Sequence, residues 1–203
     1  MKTKLLLATQ NQGKIREFGE LLVRTGLSQS YHLLSLQDID SHHPEVSETG
    51  KSFEDNARIK AQAYGHSTGV LTLADDSGLQ VTALKGFPGI HSARWLDGSD
   101  DQRNQALLKK MFGLTNRTAH FVCSLCLFSP QQKKDWLFEG RIQGEIANQP
   151  VGNQGFGYDP IFIPQNFHQT FAQLGGKIKN HVSHRAVALG KLTRFLSKEN
   201  DLR

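Results

Sequence analysis

The chain is expected to fold as an α/β protein, a mixed sheet with flanking helices disposed in two lobes. Two patterns lead there. In the first half, short apolar runs alternate with stretches of helical period, as in strand–helix units. Between Thr118 and Ile146 two extended, aromatic-rich runs meet at a turn around Pro130, which marks an antiparallel hairpin. A third observation bounds the domain count. The 203 residues hold no internal repeat, low-complexity tract or Pro/Ser-rich linker, so residues 1–203 are expected to form a single two-lobed domain with a sizeable core.

Taken in order, Lys4 to Thr9 is an apolar run and predicts a buried first strand. Gln10 to Gly13 is a polar turn. From Lys14, the apolar residues Ile15, Phe18, Leu21 and Leu22 recur at helical spacing, and the helix stops near Gly26. Tyr31 to Leu36 is a second strand, and Asp38 to Gly50 is irregular and acidic. Ser52 is a suitable N-cap for a helix running to about Tyr64 or Gly65. Val70 to Leu84 begins as a buried strand, breaks on Asp75 and Asp76, turns through Ser77 and Gly78, then resumes an extended pattern. Phe87-Pro88-Gly89 is a rigid loop, and Ser99 caps a helix through about Phe112. Gly152 to Pro160 is a glycine-rich loop, and Ile161 to Ile163 a short strand. Ser183 to about Leu196 is helical, with Val187, Leu189, Leu192 and Phe195 on its apolar face.

The formal net charge of +5 favours a polyanionic partner only weakly, because most of the 24 Lys and Arg are dispersed. The dense pair, Lys133-Lys134, falls at the hairpin tip. No window approaches a membrane span, and the Leu5-Leu6-Leu7-Ala8 run is too short for a signal h-region, so a cytoplasmic protein is expected. Cys123 and Cys126 have the C-x-x-C spacing but lie in an extended run. Residues three apart on a strand point to opposite faces, so core packing is expected rather than a disulfide or a metal. The histidines are scattered, with His42-His43 in a loop before Pro44, and no zinc spacing appears.

Chemistry concentrates in five stretches. Asp75 and Asp76 are adjacent carboxylates at the end of an apolar run, where α/β sheets collect ligands. Like charges repel, so such a pair needs a cation, and Mg²⁺ suits one or two carboxylates plus phosphate oxygens. A solvated Asp-Asp-Ser-Gly turn is the competing reading. Thr9 to Lys14 joins the first strand to the first helix, where unpaired N–H groups, the helix dipole and Lys14 suit a phosphate; an ordinary N-cap is the alternative. Asn56 and Lys60 are four apart and share a helix face, and Glu45 and Glu48 lie directly upstream. The segment 152–160 has three glycines and two aromatics in nine residues, fit for close approach to a planar base or simply for a hairpin loop. Lys179 to Arg185 then adds cations and directional donors at a further helix N-terminus.

Together ATQNQGK, ETGKSFEDNARIKA, ADDSGL, GFPGIHSARW, GFGYDP and KNHVSHR, in this order from Leu7 to Arg185, resemble the noncanonical purine nucleoside triphosphate pyrophosphatases, the inosine/xanthosine triphosphate pyrophosphatase or Ham1-like family. The resemblance implies a long mixed central sheet with flanking helices, two lobes around a nucleotide-binding cleft, Mg²⁺ dependence and a homodimer. By that resemblance Thr9, Gln10, Asn11, Gln12, Gly13 and Lys14, with Lys60, belong to the triphosphate seat; Asn56, on the Lys60 face of the same helix, is a further candidate for substrate binding. Asp76 matches the general base, Ser77 a substrate contact and Asp75 a supporting carboxylate. Glu48 matches the acid that joins Asp76 around the metal, with Glu45 as its substitute. Phe156, Gly157, Tyr158, Asp159, Lys179, His184 and Arg185 match the base-recognition end. The chain departs from the family in having Gln173 in TFAQL where Glu is common, and Gly175-Gly176 where acidic residues are frequent.

The reaction so implied is hydrolysis of dITP, ITP or XTP to the monophosphate and pyrophosphate. Water activated by Mg²⁺ and Asp76 would attack the α-phosphorus. A donor from His184 or Arg185 would satisfy a 6-oxo group and leave adenine's amino group unpaired. Three alternatives remain: a pyrophosphatase with another base preference, a basic RNA-binding protein, and a nucleotide sensor without turnover. Dispersed cations and an unexplained acid pair disfavour a stable nucleic acid complex, and no membrane partner is expected.

Overall fold

The structure is a computed structural model in which residues 2–39 and 46–198 are described. Glu45 and the His42-His43-Pro44 stretch lie outside the described residues. A six-stranded mixed sheet has the order β2-β1-β3-β4-β5-β6. Its strands are β1 (Thr3–Leu7), β2 (Tyr31–Ser35), β3 (Leu71–Val81), β4 (Thr118–Ser129), β5 (Lys134–Ile146) and β6 (Phe162–Pro164). β1 is parallel to both β2 and β3, whereas β5 and β6 are antiparallel. The helices are α1 (Gln12–Arg24), α2 (Phe53–Thr68), α3 (Asp100–Lys110), α4 (Phe171–Val182) and α5 (His184–Leu196). The expected mixed α/β sheet with flanking helices is therefore present. The chain divides into two compact units, one of Met1–Asp76, Cys123–Gly140 and Val187–Arg203, the other of Ser77–Val122 and Arg141–Ala186.

In the first unit, β1 pairs with β2 in the register Leu5↔Leu33 and with β3 in the register Leu5↔Leu71. Leu6, Ala8, Ala57, Ala61, Tyr64, Ala74, Cys126 and Phe128 build its core. Ala57, Ala61 and Gly65 are spaced by four along α2 and make a flat face; a Cβ on Gly65 would collide with the Phe128 ring. Both cysteines are buried and in the thiol form, in keeping with their spacing on a strand, and burial pushes the Cys126 thiol up to about 12. In the second unit, Phe121, Phe162 and Phe171 meet at centroid distances of 4.5 to 6.2 Å among Leu79, Val81, Leu107 and Ile161.

Several local expectations are corrected. β3 runs unbroken from Leu71 to Val81, with no turn at Ser77 and Gly78. Gly78 serves close approach instead: a Cβ there would collide with the Ser92 hydroxyl, which accepts the Leu79 N–H at 2.9 Å. α1 begins within the expected turn, at Gln12, because the Asn11 side chain accepts the Lys14 N–H at 3.0 Å and caps it there. α2 continues to Thr68, where Gly69 at φ +68° supplies the left-handed stop. α4 was not expected; Thr170 and Gln173 form a capping box at its start, and Gly175 at φ +75° interrupts its backbone. As a result Lys179 lies in the last turn of α4, not at a helix N-terminus. On α5, Leu189 and Leu192 are buried as expected, but Val187 is 39% exposed.

Candidate active site

In the first unit the acid pair is wholly inside the protein: Asp75 is 0% exposed and Asp76 5%. Three elements converge on it. Lys14, in the first turn of α1, places its Nζ 2.8 Å from Asp75 Oδ2. Asn56 and Lys60, one turn apart on α2, share the Asp76 carboxylate: Asn56 Nδ2 donates to Oδ2 at 3.1 Å, and Lys60 Nζ lies 3.5 Å from Oδ1. Lys60 also pairs with Glu48, upstream of α2. One atom ties the lysines together. The main-chain oxygen of Asp75 accepts from Lys60 Nζ at 2.9 Å and from Lys14 Nζ at 3.4 Å. From β4, Cys123 Sγ donates to Asp75 Oδ1 at 3.1 Å.

Burial pushes the Asp76 carboxyl above its ordinary value; Lys60 and Lys14 oppose this, and Glu48 and Asp75 reinforce it. For Lys60 burial pulls the other way, yet the carboxylates of Asp76, Glu48 and Asp75 outweigh it and hold the ammonium above the usual lysine range. The pair is thus asymmetric, with Lys60 firmly charged and Asp76 a carboxylate unusually willing to take a proton. A buried carboxylate with a raised proton affinity is equipped to act as a general base.

The segment before α1 is more exposed. Thr9 Oγ1 accepts the Asn11 N–H at 3.2 Å, and Asn11 caps the helix, so both side chains shape the turn itself. Gln10 and Gln12 are exposed, and Gln12, Gly13 and Lys14 form the first helical turn, which carries no acidic residue. An N-terminal turn of this kind favours anions.

The second unit gathers most of the other predicted residues. Asp159, 1% exposed, accepts from Lys179 Nζ at 2.5 Å and from the Phe156 N–H at 2.9 Å. Gly155, at φ +82°, leaves room for this carboxylate; a Cβ there would collide with it. Lys179 Nζ lies 4.6 Å from the Phe156 ring centroid, and the Arg185 guanidinium carbon 5.2 Å from it. Arg185 Nη2 also donates to Ser77 Oγ at 2.7 Å. His184 stacks on Phe121 at 4.7 Å and 11°. Tyr158 belongs to the core: its hydroxyl donates to the Ser92 carbonyl and accepts from Trp95 Nε1, both at 2.7 Å, and burial pushes its phenol up to about 12.

Several participants escaped sequence reasoning. Strand spacing accounts for the burial of Cys123 but not for its bond to Asp75. Ser92 and Trp95, in the GFPGIHSARW stretch, brace Tyr158. Asp100 and Asn104 of α3 bond the backbone of Gly157. The polar N-terminal turn of α3 was visible, but no spacing rule ties it to a loop more than fifty residues away.

Among the described residues, no group of three or more His, Cys, Asp or Glu forms a metal cage. The donor set nevertheless suits a hard cation. Glu48 and Asp76 both present carboxylate oxygens to one ammonium, and Mg²⁺ is held by one or two carboxylates together with substrate phosphates.

The profile of the Ham1 family matches residues 5–195. A dITP/XTP pyrophosphatase of Symbiobacterium thermophilum is 45% identical over 190 residues, covering 93% of this chain and 92% of the relative. One from Bacillus subtilis is 42% identical over 195 residues, covering 94% and 96%. Among solved structures, a Ham1 protein from Staphylococcus aureus superposes with a TM-score of 0.83 at 38% identity, covering 98% of this chain and 100% of that one. A HAM1 protein from Coxiella burnetii gives 0.86 at 35%, covering 97% and 100%.

Proposed function

Because the chain belongs to the Ham1 family, we propose that it is a nucleoside triphosphate pyrophosphatase, converting dITP, ITP and XTP to the monophosphate and pyrophosphate. The observation that carries this reading is the meeting of Lys14 and Lys60 on the buried Asp75-Asp76 pair. Two fixed ammonium groups suit a polyphosphate, and a buried carboxylate with raised proton affinity suits removal of a proton from water.

In this mechanism Thr9, Gln10, Asn11, Gln12, Gly13 and Lys14 receive the triphosphate at the α1 N-terminus, and Lys60 neutralises charge developing on the departing pyrophosphate. Asp76 takes the proton of the attacking water, while Asn56 fixes its carboxylate and Asp75 holds Lys14. Glu48 and Asp76 are the residues that would hold Mg²⁺, which supplies Lewis-acid polarisation of phosphate oxygens when bound. Phe156, Gly157, Tyr158 and Asp159, with Lys179, His184, Arg185 and Ser77, serve the base. Phe156 offers an aromatic face, Asp159 keeps Lys179 in place, and Tyr158 supports the loop from the core. A donor from His184 or Arg185 aimed at a 6-oxo group leaves adenine with an unpaired contact, worth about 10–100-fold in discrimination.

The protein is further proposed to work in the cytoplasm as a homodimer, in keeping with its family resemblance and a nucleotide-pool substrate. No helix among the described residues is long and apolar enough to cross a membrane. The deciding experiment is pyrophosphate release from a panel of purine and pyrimidine triphosphates with and without Mg²⁺. Preference for ITP, dITP and XTP is expected; faster turnover of a pyrimidine or methylated nucleotide would reassign the base, and no turnover would refute the enzyme.

A further inference from the structure

We propose that Asp100 and Asn104 are positioning residues that fix the Phe156–Asp159 segment for base discrimination, an inference that rests on the base-recognition role proposed above. The two are four apart on α3 and so share a face. Both reach one residue. Asp100 Oδ2 accepts the Gly157 N–H at 2.7 Å, and Asn104 Nδ2 donates to the Gly157 carbonyl at 3.0 Å. Both backbone polar groups of Gly157 are thereby held by a single helix. Gly157 sits at φ +63° with nothing within 4 Å of a Cβ position, so glycine is needed there for its dihedral and not for space.

The chemistry of the clamp is specific. Asn104 is 0% exposed. Only its NH₂ can face a carbonyl, which leaves Oδ1 buried without a hydrogen-bond partner among the described residues. A packing role alone would be better filled by leucine, which has no polar atom to strand. Asp100 is itself braced by Arg103 Nη2 at 2.7 Å, and Arg103 Nη1 donates to the Gly98 carbonyl at 2.7 Å, so the acceptor cannot drift. The residues flanking Gly157 are the ones whose orientation matters. Tyr158 is pinned by Ser92 and Trp95, and the Phe156 ring lies beside Lys179 and Arg185. Rotating the loop at Gly157 turns the aromatic face away from the cations that present donors.

The test is steady-state pyrophosphate release from dITP, XTP, dGTP and dATP, with melting midpoints, for wild type and Asp100→Ala, Asp100→Asn, Asn104→Ala and Asn104→Asp. Asp100→Asn is expected to keep more of the wild-type ratio than Asp100→Ala, because its amide oxygen still accepts the Gly157 N–H although its NH₂ loses the Arg103 contact. Asp100→Ala and Asn104→Asp are expected to lower the dITP-over-dATP ratio of kcat/KM about 10-fold, mainly through the KM for dITP, with kcat changing less than about 3-fold. A uniform fall for all four nucleotides at an unchanged ratio would overturn the proposal, as would a wild-type ratio in Asp100→Ala. If the Asn104 variants fail to fold, the contrast between Asp100→Ala and Asp100→Asn decides. A wild-type protein with no preference for dITP overturns the base-recognition reading itself, whereas a preferring wild type with unaltered variants overturns this inference alone.

Discussion

Lys60 and Asp76 form an unequal pair: the ammonium lies 3.5 Å from Asp76 Oδ1 while also gripping Glu48. One cation therefore stands between the two carboxylates proposed for the metal. That arrangement separates the roles of the two partners and sets the predictions that follow.

Asp76→Asn keeps the shape and an acceptor for Asn56 but removes the base. Turnover is expected to fall by about 10²–10⁴, the usual range for losing a general base. Binding of a non-hydrolysable triphosphate, measured by calorimetry, is expected to stay within about fivefold of wild type. A variant with near-normal turnover would refute the assignment.

The raised Asp76 carboxyl also predicts pH behaviour. The acid limb of the kcat/KM profile is expected above the ordinary carboxylate value of 3.8, because Asp76 must be deprotonated to act. Stability carries the opposite sign. Between 3.8 and the raised native value the folded state holds more protons than the unfolded one, so this group lowers stability as pH rises through that window. The Asp76→Asn protein is expected to lack this slope in urea titrations at successive pH values.

Lys60→Met would leave Asp75, Asp76 and Glu48 with Lys14 as the remaining lysine. Loss of a buried pair partner costs about 3–5 kcal/mol, checked by denaturant midpoint. Because the Lys60 ammonium is held above the usual lysine value of 10.5, its contribution is fully present below that pH and is lost only as pH climbs through the higher native value. The ionisation of Lys60 itself should accordingly add no pH dependence to the deficit across neutral pH.

Chelation with EDTA is expected to abolish pyrophosphate release, and added Mg²⁺ to restore it. Glu48→Gln should shift the Mg²⁺ activation midpoint upward by about 10–100-fold while the KM for dITP at saturating Mg²⁺ changes little. An unchanged midpoint would remove Glu48 from the proposed ligand pair.

Gly155→Ala places a methyl against Asp159 at a left-handed φ of +82°, so it should disturb the Asp159–Lys179 pair. A destabilisation of at least about 2 kcal/mol is expected from strain and the displaced carboxylate, read from the thermal midpoint. At Gly69, φ +68° with open space around it, alanine should cost only about 1 kcal/mol.

Much of this architecture was legible because local and tertiary demands agreed. The strand at Lys4 to Thr9, the Ser52 and Ser99 caps and the hairpin all followed from pattern, as did the shared face of Asn56 and Lys60. Legibility failed where a residue serves two purposes. Asp-Asp-Ser-Gly reads as a turn, yet lysines from α1 and α2 keep its carboxylates inside a continuous strand. Gly175 and Gly176 concealed α4, because a broken helix has no sustained period. Cys123 looked like packing, since nothing local announces a carboxylate from another strand.

The Asp75 main-chain oxygen, which receives ammonium groups from both α1 and α2, has a thermodynamic consequence. An incoming polyanion must draw those ammonium groups out of an internal embrace, so the empty protein acts as a competitor for its own cations. The affinity measured for inorganic triphosphate is then a difference between two arrangements of the same charges, and a modest dissociation constant is compatible with strong individual contacts.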